Sequence, residues 1–158
     1  MKLSLFRNQF RGATAAVLWD FQNSAVRRGT IKPAIETMTK PLETICPVQT
    51  VNAYIQTSGK FNSSGLSQEF RNTKAQLIKC PFSEDKGCTS DKTIIETIET
   101  LKLKAPAGQR LVFVLVSGDG GFAACTARLR EAGHAVVLVL KPNTAGSCLG
   151  SQTEHGMQ

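Results

Sequence analysis

The chain has 158 residues and 41% hydrophobic content, enough for one domain with a proper core and short of any ~20-residue apolar run that would span a membrane. Its formal net charge of +7, with a pI near 9.4, favours an acidic partner, nucleic acid first. Five cysteines, an odd number with no C-x-x-C pair, speak against a disulfide framework or a structural zinc site and fit a reducing compartment.

Residues 1–12 carry Lys2, Arg7 and Arg11 without an acid and read as a short basic arm, or as the stub of a mitochondrial presequence. Residues 15–19 (AAVLW) form the first predicted strand, followed directly by Asp20. Val26 to Gly29 make a basic loop. A helix is expected over 32–45, with Pro33 in its first turn and Pro41 kinking it or ending it early. Residues 48–55 (VQTVNAYI) read as the second strand, 66–74 as a short helix and 76–80 as the third strand.

Residues 91–103 carry Ile94, Ile95, Ile98 and Leu101 at helical steps. Residues 111–116 (LVFVLV) are continuously apolar, as in a strand covered on both faces of a parallel sheet. The glycine-rich turn SGDGG follows, with Asp119 inside it. A helix over 122–132 is stopped by Gly133, and residues 135–140 form strand five. Residues 143–158 are polar and Gly/Ser-rich and read as a tail, leaving 13–142 as the domain.

Strands alternating with helices predict right-handed βαβ units and a five-stranded parallel sheet. In the order 3-2-1-4-5, strands one and four are neighbours. Asp20 and Asp119 then share the carboxyl edge of the sheet, and the helix opened by Asp91 starts there too. Ligands bind at that edge in open α/β sheets. Clustered carboxylates repel by a few kcal/mol at ~4–5 Å and an effective dielectric of ~20, so they attract a proton or a cation. Mg²⁺ or Mn²⁺ is the cation of choice for oxygen ligands, and such an ion assists phosphodiester hydrolysis. Arg27, Arg28, Lys60, Lys86 and Lys92 surround the cluster and suit a polyanion. The histidines, His134 and His155, have no catalytic neighbour in the pattern.

Other readings stand beside this one. Asp119 alone would also serve as a helix cap. A phosphate-cradling kinase turn fits SGDGG but lacks a P-loop lysine. A non-catalytic RNA-binding module fits the charge. Trp19 and Phe21 suit either base stacking or the core, and alternation favours the core for Trp19.

Three stretches, WDFQNS (19–24), DKGCTSDKTI (85–94) and LVSGDGGF (115–122), together resemble in order and spacing the motifs of the NYN domains, which are PIN-like ribonucleases. The resemblance implies a three-layer PIN-like, Rossmann-like fold and Mg²⁺- or Mn²⁺-dependent cleavage of single-stranded RNA. On it, Asp20, Asp91 and Asp119 match the acidic metal ligands and Asn23 the asparagine that orients a ligand or water. Ser117 and Gly118 match the supporting residues before the strand-four aspartate. Two departures reduce the implied ligand count: Gly121 and Gln22 stand where many members carry an acid. The resemblance implies a cytoplasmic or peroxisomal location; no terminal tripeptide supports the latter.

Overall fold

A computed structural model describes residues 9–22, 24–56, 63–80, 90–117 and 122–139. Five strands, β1 (Thr14–Asp20), β2 (Val48–Gln56), β3 (Gln76–Cys80), β4 (Leu111–Val116) and β5 (Ala135–Val139), form one sheet in the order β3-β2-β1-β4-β5. Every pairing is parallel. The described helices are α1 (Ile31–Glu43), α2 (Ser63–Arg71), α3 (Ser90–Lys104) and α4 (Ala123–Glu131). The expected α/β sheet and its order are as predicted.

The sheet is covered on both faces because its central strands are apolar on both. Leu18, Phe113 and Leu115 pack on one side with Ile94 and Ile98 of α3 and Leu129 of α4. Val17, Trp19 and Val114 pack on the other with Ile31 and Ile35 of α1 and Leu66 and Phe70 of α2. All seven residues of β1 and all six of β4 are buried. Burial of a large apolar side chain contributes about 1.5–3 kcal/mol, so this central pair anchors the domain. Trp19 and Phe21 are both core residues, 4.9 Å apart edge to face, which settles the choice between core and base stacking.

Helix boundaries moved by a residue or a few. Helix α1 passes through Pro41, which is exposed, and ends at Glu43. The ring's lost N–H therefore costs a hydrogen bond on the solvent side and does not break the packing face. Helix α2 begins at Ser63, earlier than its apolar residues announce. Gly133 has φ +89°, the left-handed conformation that ends a helix. Cys46, Cys80 and Cys125 are buried. The tail expected over 143–158 and most of the basic arm lie outside the described residues. Of that arm, Phe10 lies under the Arg110 guanidinium, 5.1 Å from its ring centre. No described helix is long and apolar enough to cross a membrane.

Candidate active site

Asp20 is the last residue of β1, and its partner in register across β2 is Tyr54. Side chains alternate along a strand, so Asp20 projects to the same side as Leu18, the face that α3 and α4 cover. It is 1% exposed. Ser117, the residue after β4, donates its hydroxyl to Asp20 Oδ2 at 3.1 Å. Ser90, the first residue of α3, donates to Oδ1 at 3.3 Å. Taking a carboxylate out of water costs several kcal/mol. Hydrogen bonds to a charged group return about 1.5–3 kcal/mol each. Two hydroxyl donors therefore offset much of the penalty and fix the plane of the carboxylate.

The turn after Asp20 is held from within. Ser24 donates its hydroxyl to the Asp20 carbonyl at 2.6 Å, and its own N–H bonds the same oxygen at 3.1 Å. Trp19 Nε1 donates to Ser24 Oγ and to the Ser24 carbonyl, both at 3.1 Å. The tryptophan thus anchors the turn from the core.

Helix α3 is set in place by a buried polar chain. Asn52 Nδ2 donates to the Tyr54 hydroxyl at 3.1 Å, which donates to Thr97 Oγ1 at 2.9 Å. Burial pushes the Tyr54 phenol up from its ordinary value, so it remains a donor. This link fixes α3 against β2 and brings its first turn to Asp20. Asp91 sits in that turn, half-buried and directly after Ser90. An acid there also complements the helix dipole.

The structure thus brings the start of α3 and Ser117 to Asp20. Asp119, Asn23, Gly118, Lys60 and Lys86 lie outside the described residues. Among the described residues no group of three metal-binding side chains occurs. The donors that do converge are carboxylate and hydroxyl oxygens, the kind that hard divalent cations prefer. Mg²⁺ or Mn²⁺ fits this chemistry.

The basic residues divide. Arg27 and Lys92 are exposed. Arg28 is half committed: its Nε pairs with Glu69 Oε2 of α2 at 2.5 Å, and the Gly29 N–H donates to the other oxygen of Glu69. A Cβ on Gly65 would fall 2.3 Å from Arg28 Nη2, so the guanidinium lies against the bare backbone of α2. Arg28 braces the loop as well as offering charge.

Sequence reasoning missed Ser90, Ser24 and Gln56. Ser90 was legible only as the residue preceding a helical acid. Gln56 enters because Gln22 bonds it twice. Gln22 Nε2 donates to Gln56 Oε1 at 2.8 Å, and the Gln56 backbone N–H donates to Gln22 Oε1 at 2.8 Å. A cleft of about 510 Å³ lined by Thr14, Gln49, Leu101, Lys104 and Gln109 opens at the amino ends of the strands. No carboxylate among the described residues lines it, and it lies at the opposite end of the sheet from Asp20.

Comparison with known proteins agrees with this geometry. The NYN domain family matches residues 14–154. No curated protein matches the chain. Among solved structures, a protein of unknown function from Vibrio parahaemolyticus is similar, with a TM-score of 0.50 and 19% identity over 82% of this chain and 81% of that one. That likeness concerns the fold alone. The sheet order, the buried aspartate at its carboxyl edge and the family match across nearly the whole described chain lead to one assignment: the chain belongs to the NYN domain family, within the PIN-like nuclease superfamily.

Proposed function

We propose that this domain is a Mg²⁺- or Mn²⁺-dependent endoribonuclease that cleaves single-stranded RNA. The observation that carries the reading is the buried carboxylate of Asp20, held by the hydroxyls of Ser90 and Ser117 at the carboxyl edge of the sheet. A buried carboxyl group fixed in one orientation by two hydroxyls is suited to a cation and costly without a role. Asp20, Asp91 and Asp119 would hold the ion. When bound, the ion supplies a lowered pKa for water and neutralises charge developing on the phosphate.

The chain's own residues do the rest. Ser117 and Ser90 hold the Asp20 carboxylate in one orientation. Ser24 and Trp19 hold the turn that follows it. Arg27, Lys60, Lys86 and Lys92 attract the phosphate backbone, and Arg28 contributes what Glu69 leaves of its charge. The three motifs also resemble those of the NYN domain of meiosis regulator and mRNA stability factor 1, which supports a place in cytoplasmic mRNA turnover.

A non-catalytic RNA-binding module is the second reading. It is favoured by Gln22 and Gly121, which supply no carboxylate where many members carry one. The test is cleavage of an end-labelled single-stranded RNA in Mn²⁺, stopped by a chelator. Binding that persists in chelator with no cleavage in Mn²⁺ would select the second reading.

A further inference from the structure

The side chains of Gln22 and Gln56 form a closed amide pair at the rim of the site, and its hydrogen bonds fix the orientation of both amides. The Gln56 backbone N–H can only donate, so the Gln22 atom that meets it at 2.8 Å is the carbonyl oxygen. That choice turns the Gln22 NH₂ toward the Gln56 side chain, where the 2.8 Å contact requires the Gln56 oxygen. Flipping Gln56 would set NH₂ against NH₂ and lose a hydrogen bond. The Gln56 NH₂ is therefore held on the far side of its amide, away from the pair.

Its position is defined as well. Gln56 lies two residues beyond Tyr54, and Tyr54 is the register partner of Asp20. Residues two apart in a strand share a face. Gln56 therefore stands on the Asp20 face of the sheet, one strand over and nearer the carboxyl edge. Both glutamines are half-buried, so each keeps some access to solvent.

We infer that this pair is a base-reading subsite that prefers keto bases, uracil and guanine, over amino bases, cytosine and adenine, in the RNA strand lying across the site. Uracil and guanine present a carbonyl oxygen where cytosine and adenine present an NH₂. A fixed NH₂ donor pairs with the first and meets the second donor to donor. A neutral amide on its own adds little to phosphate binding, so selectivity among bases is the role it can fill. This subsite rests on the reading that the domain binds RNA.

The test compares two single strands whose bases differ on one edge, a carbonyl and N3–H in uracil against an NH₂ and a bare N3 in cytosine. Fluorescence anisotropy measures binding of labelled oligouridylate and oligocytidylate of equal length to the full chain, in chelator so that neither is cut. Oligouridylate should bind about fivefold to tenfold more tightly, the low end of what one base contact discriminates. Gln56→Ala should remove that ratio while the protein still binds. Gln22→Glu should reverse it. A carboxylate at that position accepts from both the Gln56 N–H and the Gln56 NH₂, which turns the Gln56 oxygen outward as an acceptor. Equal affinities for the two strands in the parent would overturn the subsite and leave RNA binding intact. So would a preference unchanged in both variants, or an equal loss for both strands in Gln56→Ala. If neither strand binds, the RNA-binding reading falls and takes the subsite with it.

Discussion

The Ser117 hydroxyl meets the carboxylate of Asp20 at 3.1 Å across 97 residues of sequence. The contact exists because β1 and β4 are neighbours in register, with Trp19 opposite Val116. Each strand then delivers its next residue to the same point. The parallel sheet makes the site: separate motifs meet only because the strand order puts their ends side by side.

Removing that donor should be felt first in stability. Ser117 is buried, and Ser117→Ala leaves Asp20 Oδ2 without this partner. The expected loss is about 1.5–3 kcal/mol, the worth of a hydrogen bond to a charged group. Ser90→Ala should cost less, since its bond is longer at 3.3 Å. Urea unfolding followed by the fluorescence of Trp19, the sole tryptophan, measures both. Equal, near-zero losses would mean that the hydroxyls do not support the carboxylate.

His134 should give the fold a pH dependence far from the site. The Leu111 N–H donates to His134 Nδ1 at 3.2 Å, which requires an unprotonated nitrogen. Burial, then the nearby charges of Lys102 and Arg110, lower its pKa from the ordinary 6.5. Below about 6.5 the unfolded chain therefore binds more protons than the folded one. The stabilisation is complete above that pH and declines as pH falls beneath it. The urea midpoint should drop between pH 7.5 and 5.5 in the parent, and by less in His134→Asn. An identical drop in both would assign the effect to other groups.

RNA affinity should fall steeply with salt as counterions are released. Lys92 is exposed at the start of α3, beside the site. Lys92→Gln should lower the slope of log affinity against log salt by roughly 0.7, the single-strand value for one phosphate contact. Arg28→Gln should lower it less, because Glu69 already holds its guanidinium. An affinity flat over a tenfold change in salt would exclude phosphate contacts altogether.

The fold was legible because its strands are written in continuous apolar runs. LVFVLV and AAVLW could be covered on both faces only in a parallel sheet, and alternation with helical segments then limited the topology. Asp20 and Ser117 were legible as strand ends. Ser90 and Gln56 were not, since a hydroxyl or an amide acquires its role only from the atom it meets. Arg28 looked like free charge because sequence spacing carries no sign of Glu69, 41 residues away. Pro41 was expected to kink the helix or end it early, yet α1 runs through it to Glu43, with the ring on the solvent side, where a missing hydrogen bond is tolerated.

The most direct test of the central claim is the rate at which Asp20→Asn cleaves single-stranded RNA in Mn²⁺, measured beside the parent. An asparagine keeps the shape, and the Ser90 and Ser117 hydroxyls can rotate to meet its amide. The fold should survive, as checked by circular dichroism and by an unchanged Trp19 emission maximum. The account predicts that cleavage falls by at least about a hundredfold, the scale on which electrostatic catalysis is lost with one group. Cleavage by Asp20→Asn at the parent rate would contradict it.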